Sequence, residues 1–170
     1  MRAGEIRHCG EEDLRGGVRW RVLDNACRLT AVATFLLCSR PATAVTCTPS
    51  ETAACLQGGR FEETVEWSTG SSQGAGRLMS FDGRRAATED SAFFWFFSPT
   101  NFEMGLKVLD ACVPALGNRY WVFVSGLTDQ GWTVRVRDLA SGLERTYTNP
   151  VGTLSTTFRD TATFNCFGPG

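Results

Sequence analysis

Beyond residue 60 the chain alternates apolar and polar side chains in short runs broken by turn residues, a period of two that predicts β-strands. In 60–67, Phe61, Val65 and Trp67 share one face and the glutamates fall mostly on the other. The stretch 68–76 is Gly/Ser-rich and reads as a flexible loop, and Leu78 to Phe81 forms a short apolar piece ending at the turn pair Asp82-Gly83. Residues 93–97 are five aromatics in succession, closed by Ser98-Pro99, and predict a strand that is apolar on both faces. Next, Phe102, Met104, Leu106 and Val108 are expected to point inward, with Glu103 and Lys107 outward. A turn at Gly117-Asn118 leads into 120–124, and Gly131 opens a strand with Trp132, Val134 and Val136 inward and the arginines outward. Ser141-Gly142 turns into 143–147, Asn149-Pro150 closes that strand, and a last strand spans 161–166. Seven to eight short strands without a long helix predict an all-β domain, an antiparallel β-sandwich of immunoglobulin-like or jelly-roll-like topology.

The pattern before residue 45 is different. Residues 29–38 are apolar apart from threonines, Arg28 precedes them, and Ser39-Arg40-Pro41 and Ala42-Thr43-Ala44 follow. A basic flank, a short apolar core, a break and an A-x-A end are the parts a signal peptidase recognises. The run is too short for a bilayer span, which needs about 20 residues. Residues 1–44 are thus expected to be an over-called leader plus a signal peptide, with translation starting near Val18. Residues 45–170 are expected to form a single monomeric domain, secreted or held in the periplasm or cell envelope, with no membrane span.

That cut changes the chemistry available. Of seven cysteines, Cys47, Cys55, Cys112 and Cys166 remain, an even number suited to an oxidising compartment. Four cysteines allow three connectivities; Cys47–Cys55 and Cys112–Cys166 is favoured, and the loop-entropy model assigns roughly 2.6 and 4.2 kcal/mol to the two bridges. The spacing C-x₇-C lacks a second short pair for zinc. The sole histidine, His8, is removed, and with it any Ser-His or Cys-His pair for nucleophilic catalysis. Ten Lys and Arg against thirteen Asp and Glu remain, so no basic patch for nucleic acid is expected.

Three kinds of site can be nominated. Trp95, Trp121 and Phe123 could form a stacking platform for sugars, although aromatic runs more often fill cores. Asp110, Asp129 and Asp138, with Asp82, Asp90 and Asp160, fall at strand ends where carboxylates could gather calcium, although aspartates also start turns on their own. No other cofactor is implied. The pairs Glu63 with Glu66, or Glu103 with Asp138, could in principle serve glycoside hydrolysis, which needs two carboxylates and no histidine.

Six blocks carry a family resemblance: Cys55-Leu56 with Gly59-Arg60-Phe61; Phe94-Trp95-Phe96-Phe97 with Asn101-Phe102-Glu103; Lys107-Val108-Leu109-Asp110; Trp121-Val122-Phe123; Gly126-Leu127-Thr128; and Tyr147-Thr148-Asn149-Pro150. In this order they resemble an uncharacterised disulfide-bearing β-rich domain recurrent in bacterial secreted proteins, and the chain departs from it over 81–88. The resemblance implies export and a β fold, and brings no catalytic residues. The expected function is a non-catalytic accessory module binding a carbohydrate or an extracellular protein. The alternatives are a purely structural envelope domain and, least economically, a carboxylate-dependent hydrolase. N-terminal sequencing of the exported product is expected to begin at Val45; a mature chain retaining residues 29–38 would refute the export signal.

Overall fold

The structure, a computed structural model, describes residues 45–167. The expected leader and signal segment, residues 1–44, lie outside the described residues. The strands in chain order are β1 (Ala53–Leu56), β2 (Phe61–Ser68), β3 (Gln73–Ala75), β4 (Arg77–Leu78), β5 (Ser80–Phe81), β6 (Arg84–Arg85) and β7 (Ser91–Trp95). After them come β8 (Met104–Ala111), β9 (Arg119–Gly126), β10 (Gly131–Asp138), β11 (Glu144–Asn149) and β12 (Phe158–Asn165). One sheet, A, runs β1-β2-β10-β11 with β3 also on β2; the other, B, runs β12-β9-β8-β7-β4. All named pairings are antiparallel. The fold is therefore an all-β sandwich, and its eight strands of four or more residues match the expected count.

Connections explain the layering. Strands β7, β8 and β9 form a meander in sheet B; the chain then crosses to the β10–β11 hairpin in sheet A and returns as β12 beside β9. Asp82 and Gly83, both at positive φ, make the two-residue turn that pairs Phe81 with Arg84, as expected from their sequence. Inward positions of both sheets supply one apolar core, with Phe61, Phe94 and Phe164 fully buried. Phe61 packs edge-on against Phe164 at 5.4 Å, joining sheet A to sheet B.

Both favoured disulfides are in place, Cys47–Cys55 and Cys112–Cys166, each with Cα atoms 5.6 Å apart. At the same end of the sandwich as the second bridge, the Arg60 guanidinium grips the Asp138 carboxylate through Nε at 2.8 Å and Nη2 at 2.7 Å. It also donates to the carbonyls of Cys166 at 3.0 Å and Asn165 at 2.8 Å, and it lies over the Tyr120 ring at 4.5 Å. One side chain thus links β10 of sheet A to the end of β12 in sheet B. Burial alone would raise the Asp138 pKa, but hydrogen bonds from Arg60, Ser141 and the Ala140 N–H hold it below the ordinary value. A second tie joins the sheets where Tyr147 Oη of β11 donates to Asp160 of β12 at 2.8 Å.

Several expectations need correction. The segment 68–76 is not simply a loop, because β3 pairs Gln73, Gly74 and Ala75 with Ser68, Trp67 and Glu66. Phe102 does not point inward with Met104, since β8 begins at Met104 and Phe102 precedes the ladder. Glu103 is buried rather than outward and accepts a hydrogen bond from Asn101. Most consequentially, Glu63 shares the inward face with Phe61 and Val65, as strict alternation requires, and is fully buried with both carboxyl oxygens lacking a hydrogen-bond partner.

An unpartnered carboxyl in an apolar core is stable only when neutral. Burial pushes the Glu63 pKa from 4.5 up to about 8. The neutral form is favoured in the folded state, so its contribution is complete below the ordinary carboxyl range and is lost as pH rises through about 8. Asp138 has the opposite sign: its contribution is present above the ordinary aspartate range and is lost as pH falls through its lowered pKa. Denaturant titrations are therefore expected to show stability declining between pH 5 and pH 8 by up to about 1.4 kcal/mol per pH unit. Glu63→Leu flattens that decline and stabilises most at pH 8; a decline unchanged in the variant would refute the assignment. Replacing Arg60 by Met strands the buried Asp138 charge and is expected to cost about 3–5 kcal/mol, largely restored in the Arg60→Met/Asp138→Leu double variant.

Candidate functional site

In sheet B the core takes Ala92, Phe94, Met104, Leu106, Val108, Val122 and Val124, so the residues between them face outward. Register then sets out rows across the sheet. Lys107 of β8 stands opposite Phe123 of β9, which stands opposite Arg159 of β12. In the next row Phe93 of β7 faces Gly105, and Gly105 faces Ser125. Because Gly105 has no side chain, the outer face has a gap in this row between Phe93 and Ser125, beside the row that holds Phe123.

That gap is the floor of a shallow groove of about 390 Å³ lined by Phe93, Phe102, Gly105, Lys107, Phe123 and Leu127. A Cβ at Gly105 would meet the Phe93 ring at 3.6 Å and the Phe102 ring at 3.7 Å, so both rings flank the space above it. Phe102 comes over from the β7–β8 connection and packs edge-on against Phe93, centroids 5.1 Å apart at 90°. Phe93 keeps 37% of its surface exposed and Leu127 64%, so the wall is apolar and open to solvent. Glycine inside a strand weakens the strand and often marks a close approach by a ligand or another backbone.

All three platform candidates lie on this outward face, but not as one surface. Phe123 lines the groove and Trp121 follows two residues away on β9, half-buried, with its indole N–H lacking a partner. Trp95 sits two strands across and four positions along, about 15 Å from Phe123 by strand geometry. The Arg77 guanidinium lies 5.2 Å from the centre of its ring. Phe93 and Phe102, rather than Trp95, line the groove together with Phe123. The outward glycine between aromatic neighbours was the signal in the sequence; the contribution of Phe102 depends on a loop conformation that alternation does not encode.

The other nominated groups are not assembled. Glu63 and Glu66 are on opposite faces of β2, the first in the core and the second paired with Arg135 at 2.9 Å. Glu103 adjoins sheet B, whereas Asp138 ends β10 in sheet A and is held by Arg60. Asp129 precedes β10 and Asp138 ends it, so the strand separates them by about 25 Å. Asp110, on β8, accepts from the Cys112 N–H at 2.8 Å. No group of three or more His, Cys, Asp or Glu suited to a metal occurs among the described residues.

A larger groove of about 640 Å³ lies over sheet A, bordered by Glu66, Trp67, Gln73, Thr133 and Thr148. Its two large aromatics are committed to structure: the Trp67 indole N–H donates to the Ala75 carbonyl and its ring packs against Phe97 at 4.8 Å and Phe96 at 6.3 Å, while Trp132 is buried, with its indole N–H donating to Ser155 at 2.8 Å. Glu66 is likewise paired with Arg135. The sheet B groove, though smaller, is the one with unengaged aromatic surface.

Among the described residues no helix is long and apolar enough to cross a membrane. A scan against family models, a search of curated proteins and a search of solved structures each return no match.

Proposed function

We propose that this domain is an exported, non-catalytic binding module that takes a carbohydrate chain in the groove formed by Phe93, Phe102 and Phe123. The observation that carries the reading is a groove over Gly105 walled by one exposed ring, Phe93, and two half-buried rings, Phe102 and Phe123, with Phe93 and Phe123 fixed by strand register. The apolar C–H faces of a pyranose ring stack on such rings. Two of these rings stand on strands, so little conformational entropy is lost on binding. The groove volume falls in the range of small-molecule sites, about 300–1,000 Å³. Export is supported by two disulfides in a domain of this size. The resemblance of six sequence blocks to a β-rich domain of bacterial secreted proteins also favours it.

Titration calorimetry of the purified protein against soluble polysaccharides tests the reading. Phe123→Ala is expected to weaken binding about tenfold, the worth of one stacked ring. Gly105→Leu is expected to abolish it by filling the groove, because the first added carbon meets only ordinary contacts. Both variants should keep a cooperative melt. Absence of binding to every glycan tested, or binding untouched by Gly105→Leu, would refute the site.

A further inference from the structure

Resting on that reading, we infer that the groove takes an acidic polysaccharide, a chain whose pyranose rings carry carboxylate or sulfate groups. The ladder flanks Phe123 with a cation on each side, Lys107 on β8 and Arg159 on β12. Arg119 stands at a further outward position of β9. Lys107 and Arg159 are exposed, and none of the three has an ion-pair partner among the described residues.

The carboxylates near these strands are turned to other partners. Asp160 points to the core side and accepts from Tyr147, Thr163 and the Ala162 N–H. Asp90 accepts from Gln57 at 2.6 Å, Asp110 from the Cys112 N–H and Glu103 from Asn101. The outward positions of β7, β8, β9 and β12 thus bear cations and rings without a carboxylate. The outer face of sheet A differs, its Arg135 being neutralised by Glu66. Residues 45–170 hold ten basic and thirteen acidic side chains, so the bare cations of sheet B are a local feature of an acidic domain.

This arrangement matches one chemistry. A ring stacked over Phe123 places its substituents toward Lys107 on one side and Arg159 on the other. A guanidinium can bind a carboxylate or sulfate through paired hydrogen bonds, and an ammonium offers a point charge. Single-stranded nucleic acid also combines stacking with charge, but it is held by a continuous basic groove. Three cations on a domain of net negative charge suit the sparser charge of an acidic glycan.

The test titrates the purified protein, by calorimetry in low salt, with polygalacturonate as the uronate probe, heparin as the sulfate probe, hydroxyethyl cellulose as the neutral probe, and oligodeoxythymidylate. Polygalacturonate, heparin or both are expected to bind at least about tenfold more tightly than the neutral chain. Lys107→Gln and Arg159→Gln should each weaken that binding about fivefold or more without moving the melting temperature, and added salt should weaken it further. The sulfate and uronate arms distinguish the two acidic groups. Equal binding of neutral and acidic chains, lost in Phe123→Ala but untouched in the cation variants, would overturn the acidic assignment and leave the carbohydrate reading standing. No glycan binding at all overturns both. Preferential oligodeoxythymidylate binding lost in the same variants overturns both in favour of nucleic acid.

Discussion

The buried pairing of Arg60 with Asp138 is the constraint on which the assembled sandwich depends. A carboxylate at that depth has no water to solvate it, so it requires a donor set, and Arg60 supplies two parallel bonds while Ser141 and the Ala140 N–H supply the rest. The same guanidinium reaches two carbonyls at the end of β12, which only a planar group with five donors can do from one position. Sheet A and the last strand of sheet B are thereby fixed to each other at one edge. Phe61, the next residue, carries that alignment into the core against Tyr120 and Phe164. The Cys112–Cys166 bridge adds a covalent tie at the same place.

The two outer faces then differ for a physical reason. On sheet A, strands β2, β10 and β11 present threonines, arginines and glutamates, side chains long enough to pair across the ladder and remain hydrated. On sheet B, the meander places rings and cations side by side with no carboxylate at its outward positions. A surface of the first kind is self-contained. One of the second kind leaves apolar area and charge both unsatisfied, which is the usual state of a binding surface.

Much of the fold could be read from alternation because each strand has one face in the core: Trp132, Val134 and Val136, or Met104, Leu106 and Val108, all bury as their spacing requires. The turns at Asp82-Gly83 and Gly117-Asn118 were equally legible, since the structure puts all four residues at positive φ. The misreadings have separate causes. Glu63 obeys the period but violates polarity, so residue type hid its position. Phe102 lies before the ladder, where period carries no information. The short strand β3 exists through pairing with β2 across a turn, a tertiary cause that its Gly-rich composition concealed. For the site, Phe123 could be nominated from composition, but the flanking Lys107 and Arg159 come from register between strands distant in sequence. The six sequence blocks singled out at the start overlap strongly with architecture: Arg60 and Phe61 at the clamp, and Asn149 bonding the carbonyls of Gln130, Pro150 and Thr153.

The position of β12 also fixes when the groove can come into being. Arg159 reaches Phe123 only after the chain has left sheet B, formed the β10–β11 hairpin and returned, and Arg60 meets Asp138 across 78 residues of sequence. Contacts that close such long loops form late and slowly. A partly synthesised chain therefore has no finished groove and little to hold it compact. Under the proposed export, late assembly would be an advantage: the groove would appear only where all of the chain, and an oxidant for its cysteines, are present together.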